Sequence, residues 1–133
     1  HASALTLAQT RVAARQLLEK GVKMVLVKHL GRAASVPGRF EMLLATPEGD
    51  YLIARPLYDF ARQPVGVGDL ISALMLANLQ AGYDGVSAFE RTNAAVDAVL
   101  RQTWEANAYE LQLIAAQSAF AEPQIAHRAE RLA

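Results

Sequence analysis

Cysteine is absent from the 133-residue chain, which removes disulfide frameworks, thiolate metal sites and cysteine nucleophiles together. An excess of charge is also absent: 13 basic side chains balance 13 acidic ones, for a formal net charge of zero. Nucleic-acid footprints and basic membrane-binding faces work through clustered positive charge, so neither kind of partner is expected. Aromatic residues make up only 7%, and the apolar runs stop well short of a membrane span. No secretory leader opens the chain, and a soluble cytoplasmic protein is the expectation. What is plentiful is aliphatic side chain. Hydrophobic residues reach 53%, a greasy composition for so small a domain. Either the core is large for the length, or some apolar surface expects a partner. The length allows one domain. The chain opens on His1 instead of methionine, so a start other than the native translation start is expected.

Ala8 to Lys20 carries helical spacing, with Val12, Leu17 and Leu18 as the inward stripe. Thr6 and Gln9 fit a capping box, and Gly21 sits where a C-terminal cap belongs. Val22 to Leu30 (VKMVLVKHL) is a continuous apolar run, the pattern of a strand covered on both faces in a parallel sheet. Gly31 to Arg39 reads as a loop. Phe40 to Thr46 and Tyr51 to Leu57 read as an antiparallel pair joined at Pro47-Glu48-Gly49-Asp50, which makes the expected sheet mixed. A helix holding Leu70, Ile71, Leu74, Met75 and Leu79 ends at Gly82. Another spans about Val86 to Asn107, with Phe89, Ala94, Val96, Val99, Leu100 and Trp104 as its apolar set. Tyr109 to Ala121 fits either a helical extension or a short strand around ELQLI, and Glu122-Pro123 ends it. No repeat or linker divides the domain.

The chemically distinctive stretch is PVGVGDLISALMLANLQAG, from Pro64 to Gly82. In the plain reading, Asp69 charges a helix N-terminus and Gly66 and Gly68 serve a tight turn. In the functional reading, a glycine-rich turn feeding a helix exposes several backbone N–H groups that cradle phosphate oxygens. A carboxylate beside such a cradle repels an anion, so it suits a different task. It can accept a proton from a hydroxyl attacking phosphorus.

That segment resembles the catalytic stretch of the ribokinase-like sugar and vitamin kinases. With VLVKHL, GRFEML, ARPLYDF, RQPVGVGDLISALMLANLQAG and YELQLIAAQ in order, the whole chain resembles the pyridoxal kinase family, in its bacterial pyridoxal/pyridoxamine branch. The resemblance implies an α/β fold, the C-terminal part of a ribokinase-like three-layer α/β/α architecture with a mixed sheet. It implies that residues 1–133 are a single incomplete domain carrying the ATP-binding and anion-hole segments, with little activity in isolation. By the same resemblance Asp69 is the catalytic base that touches the substrate hydroxyl, and Gly66, Val67 and Gly68 supply the anion-hole amides. Such preorganised donors are worth about 3 kcal/mol each in a barrier. Lys28 and the stretch Arg55, Pro56, Leu57 and Tyr58 correspond to ATP contacts. Tyr58 stands where relatives commonly have an aliphatic residue, and the link from Phe60 to Gln63 is one residue shorter.

The activity so implied is ATP-dependent phosphorylation of the 5′-hydroxyl of pyridoxal, and of pyridoxamine and pyridoxine, in vitamin B6 salvage. ATP and Mg2+ are the implied cofactors, with Mg2+ ligands mostly outside this chain, and a monovalent cation is allowed. The intact enzyme is expected to be a homodimer. Two alternatives stay open: a hydroxymethylpyrimidine kinase or other ribokinase-like enzyme, and a catalytically silent fragment or interaction module. Other polar residues point to plainer roles. His1, His29 and His127 lack metal-ligand spacing, Trp104 and Tyr109 are expected to pack, and Glu105 and Glu110 are expected to be exposed. Ser72 reads as a helix-facing hydroxyl.

Overall fold

The hairpin at the centre of the sheet is set by a turn of two residues, Pro47 and Glu48. The computed structural model describes residues 6–30 and 38–133. His1 and most of the loop expected at Gly31 to Arg39 lie outside them. Strands β2 (Arg39–Thr46) and β3 (Gly49–Pro56) pair without a break from Thr46 opposite Gly49 to Arg39 opposite Pro56. Thr46 Oγ1 accepts from the Gly49 amide at 3.2 Å and donates to the Gly49 carbonyl at 2.9 Å. Neither loop residue takes a positive φ, so proline's fixed φ starts the turn in place of the glycine-dependent hairpin types.

Around this hairpin the order is α1 (Leu7–Glu19), β1 (Val25–Val27), β2, β3, α2 (Val67–Gln80), α3 (Gly85–Glu105), α4 (Ser118–Ala121) and β4 (Glu130–Arg131). The sheet runs β1-β2-β3-β4. Strand β2 is buried continuously from Glu41 to Thr46, which requires cover on both faces. Met42 and Leu44 point into the larger core with Ile53, Ile71, Phe89 and Val96, beneath α2 and α3. The intervening Leu43 points the other way, into a smaller cluster with Leu30, Leu52 and Leu7 of α1. Side chains alternating across one strand thus divide the chain into helix, sheet and helix layers.

Two expectations about the sheet are corrected. Among the described residues every strand pairing is antiparallel, so the sheet of this chain is not mixed. The apolar run at Val22 to Leu30 yields only the three half-buried residues of β1, which lies at the edge against β2. A continuous apolar run reports burial and is silent on the direction of the neighbour. The tail also differs. Residues 109–112 carry no regular structure, 113–117 are turns, α4 is a single helical turn, and β4 pairs with Tyr51 and Leu52 beyond the expected end.

Helix α1 has the expected capping box, with Thr6 and Gln9 bonded reciprocally at 3.1 and 2.9 Å, and Gly21 takes φ 102 just past its end. Its inward stripe is different, however. Thr10 and Ala14 are buried and Leu18 is half-buried, whereas Val12 is 58% and Leu17 46% exposed. Small residues let the helix sit close on β2, and two arginines fix its rotation. Arg11 Nε donates to Asp50 Oδ2 at 2.9 Å, Arg15 donates to Asp50 Oδ1, and Arg15 also donates to the Thr46 carbonyl at 2.9 Å. Asp50 is only 5% exposed while the arginine side chains are about a third exposed. Asp50→Ala strands guanidinium donors that water reaches in part, so the expected loss is about 1–2 kcal/mol and not that of a fully buried pair. A urea midpoint for the intact protein checks this, and an unchanged midpoint contradicts it.

Helix α3 starts at Asp84, whose carboxylate accepts the Ser87 amide at 2.7 Å. Phe89, Val96, Val99 and Leu100 are buried as the spacing predicts, but Ala94 is half-buried and Trp104 is 46% exposed. Thr92, Asn93, Asp97 and Thr103 are buried too, each a polar group inside. Among the described residues no helix is long and apolar enough to cross a membrane.

Candidate functional site

Helix α2 begins without a side-chain cap. Its N-cap is Gly66, in the left-handed region at φ 92, where a side chain would be strained although only Leu111 lies near the space. The Gly66 carbonyl accepts the first helical bond, from the Leu70 amide at 3.0 Å. The amides of Val67, Gly68 and Asp69 therefore have no acceptor within the helix, and the N-cap residue supplies no side-chain cap. The helix dipole adds partial positive charge at the same place. Val67 turns its side chain toward the core, which leaves its amide unobstructed. Asp69 sits exposed on that first turn.

Lys28, just past the end of β1, reaches the same turn. Its Nζ donates to the Gly68 carbonyl at 3.3 Å and to Ser72 Oγ at 3.1 Å. A Cβ added at Gly68 would stand 3.5 Å from that ammonium. Glycine at 68 thus keeps a full positive charge close to the free amides, and Ser72 helps to hold it there. Positive charge, helix dipole and backbone donors thus share the first turn of α2 with the Asp69 carboxylate.

Behind this helix end lies a cavity of about 250 Å3. Arg55, Pro56, Leu57 and Tyr58 form one side, Val67 and Leu100 another, and Phe40, Phe60 and His29 complete the wall. Arg55 is the unusual member. It is 3% exposed, its guanidinium carbon lies 3.9 Å from the centroid of the Phe40 ring, and its Nε and Nη2 have no hydrogen-bond partner among the described residues. Burial pulls its pKa down to about 10, with the Asp97 carboxylate and Tyr58 acting in the opposite direction. It remains a cation at neutral pH. A buried cation with spare donors beside a cavity is an acceptor-seeking group.

The structure brings together all the residues singled out in the sequence. Lys28, Gly66, Val67, Gly68 and Asp69 meet at the start of α2, and Arg55 to Tyr58 form the adjoining wall, sharing Val67 with it. Some dismissed residues belong here too. Ser72 is exposed and touches Lys28, and His29 stacks on Phe40 with ring centroids 4.7 Å apart. Trp104 and Tyr109 were expected to pack. Both are nearly half exposed, Trp104 donating to the Asp59 carbonyl at 3.2 Å and Tyr109 lying under Arg62. Helical spacing could have revealed Ser72, which shares a face with Asp69; nothing local marks His29. Among the described residues no group of three or more His, Asp or Glu could hold a metal ion.

Comparison with known proteins supplies context. No protein-family profile matches the chain. It is 62% identical over 130 residues to a pyridoxal kinase, PdxY, of Aliivibrio fischeri, covering 96% of this chain and 45% of that protein. The PdxY pyridoxal kinase of Actinobacillus succinogenes is 53% identical over 125 residues, covering 94% and 44%. Among solved structures, pyridoxal kinase from Leishmania donovani in complex with ADP superposes with a TM-score of 0.80 at 19% identity, over 96% of this chain and 44% of that one. Plasmodium falciparum PdxK with AMP-PNP and PL gives 0.79 at 17% identity, over 97% and 44%. At such identities the superpositions establish the α/β fold. The chain spans less than half the length of the curated relatives it matches.

Proposed function

Since the chain belongs to the pyridoxal kinase family, we propose that it forms the phosphate- and nucleotide-handling part of an ATP-dependent kinase acting on the 5′-hydroxyl of pyridoxal, and of pyridoxamine and pyridoxine. The observation that carries this reading is the convergence of Lys28, the free first-turn amides and the exposed Asp69 at the start of α2. Asp69 takes the proton of the attacking hydroxyl as its oxygen bonds to the γ-phosphorus. The bond from that phosphorus to the bridging oxygen breaks, and ADP leaves. The amides of Val67, Gly68 and Asp69, with Lys28, take up negative charge on the transferring group, where preorganised donors have their largest effect. The cavity beside Arg55 fits the remainder of the nucleotide, and the spare guanidinium donors find acceptors there.

Mg2+ belongs to this reading through the family. Among the described residues no cluster of His, Asp or Glu could hold it. A cytoplasmic location, a homodimer and the role of this stretch as one portion of a larger domain are parts of the same proposal. Turnover of pyridoxal against hydroxymethylpyrimidine by the intact enzyme tests it. Preference for pyridoxal is expected; preference for the pyrimidine, or no ATP-dependent phosphorylation of either, overturns it.

A further inference from the structure

The connection from β3 to α2 provides Leu57, Tyr58 and Phe60 to the cavity wall, yet it contains no regular structure. Its hold comes from α3. Tyr58 donates its phenolic proton to Asp97 Oδ1 at 2.8 Å, and Trp104 donates Nε1–H to the Asp59 carbonyl at 3.2 Å. Arg101 donates to the other Asp97 oxygen at 3.1 Å, and the Tyr58 ring lies 5.7 Å from that of Trp104. Asp97, Arg101 and Trp104 are four and three residues apart, which places them on one stripe of the helix. Asp97 is 5% exposed. A carboxylate inside needs a reason, because removing it from water is costly unless it is fully bonded. Both its oxygens are occupied here, and it is also the anion that most offsets the burial of Arg55.

We propose that Asp97 is a positioning residue for the nucleotide: by accepting the Tyr58 hydroxyl it fixes the loop that walls the cavity. This rests on the nucleotide-binding reading of the cavity. Asp97 itself does not line the cavity, so it acts through Tyr58. Losing it therefore weakens nucleotide binding and leaves the hydroxyl-activating Asp69 in place.

The test uses the intact enzyme and a split of kinetic constants. Asp97→Ala removes the acceptor altogether and is expected to raise KM for ATP about tenfold, with kcat and KM for pyridoxal within about twofold. Tyr58→Phe keeps the ring packing and removes only the donor, so a smaller rise, about threefold, is expected. The double variant is expected to match Asp97→Ala, because the two act as one unit. Calorimetric titration with ADP is expected to give the same order. An unchanged KM for ATP in both single variants overturns the proposal. So does a uniform fall in kcat and both KM values that follows the loss of thermal stability. If the unsubstituted enzyme fails to phosphorylate pyridoxal, the functional reading fails first, while ADP titration of the variants still decides the role of Asp97.

Discussion

Asp69→Asn in the intact enzyme is expected to lower kcat about 10²- to 10⁴-fold while the KM for ATP changes little. The range is that of general-base catalysis removed at one position. Asparagine keeps the size of the side chain and its place on the first turn of α2, so the amides of Val67 and Gly68 and the Lys28 ammonium stay as they are. Removing a negative charge beside the proposed phosphate cradle favours the anion. Binding and turnover should therefore move apart. Single-turnover measurements with saturating ATP isolate the effect, and a kcat within threefold of the unsubstituted enzyme would rule out Asp69 as the base. A loss of ATP affinity comparable to the loss of kcat would instead make Asp69 a residue of binding.

The second large effect lies in the core. Phe89→Ala is expected to destabilise the fold by about 3–5 kcal/mol, the range for truncating a fully enclosed phenylalanine. Phe89 is 0% exposed, sits one turn into α3 and packs in the core cluster with Met42, Leu44 and Ile53 of the sheet and Ile71 and Met75 of α2. It lies where helix layer and sheet meet. Backbone and close side chains on several sides leave little room for collapse, so transfer and cavity terms add. Against a typical total of about 5–15 kcal/mol, that loss leaves a marginal fold. Chemical denaturation of the intact protein measures it, and a shift below 1 kcal/mol would place the core elsewhere. Leu76 on the neighbouring helix α2, 57% exposed, provides the contrast, since its truncation should be nearly silent.

These two residues also mark how far the sequence could be read. The geometry at Gly66 to Asp69 was legible because the turn glycine and the carboxylate are consecutive and open a helix, so the arrangement is written locally. The helical spacing that exposed Phe89 is likewise local. What escaped depends on distant partners. The rotation of α1 follows from Arg11 and Arg15 gripping Asp50 across the sheet, and aliphatic spacing alone turned Val12 and Leu17 the wrong way. Strand direction escaped for the same reason: VKMVLVKHL states its own greasiness and nothing of its neighbour. Arg55 was reached by resemblance and by nothing in its local pattern, and only the fold places Phe40 beneath it and a cavity beside it. Asp97 lay in the middle of an amphipathic helix with no local sign that a tyrosine from another segment would find it.

Helix α3 touches more of the chain than its packing role requires. Besides holding the loop between β3 and α2, it binds Asn78 of α2 through Thr92 and Arg91, the Ala121 carbonyl through Arg91, and the Ala129 amide through Glu90. Segments remote from one another in sequence thus share a common spine.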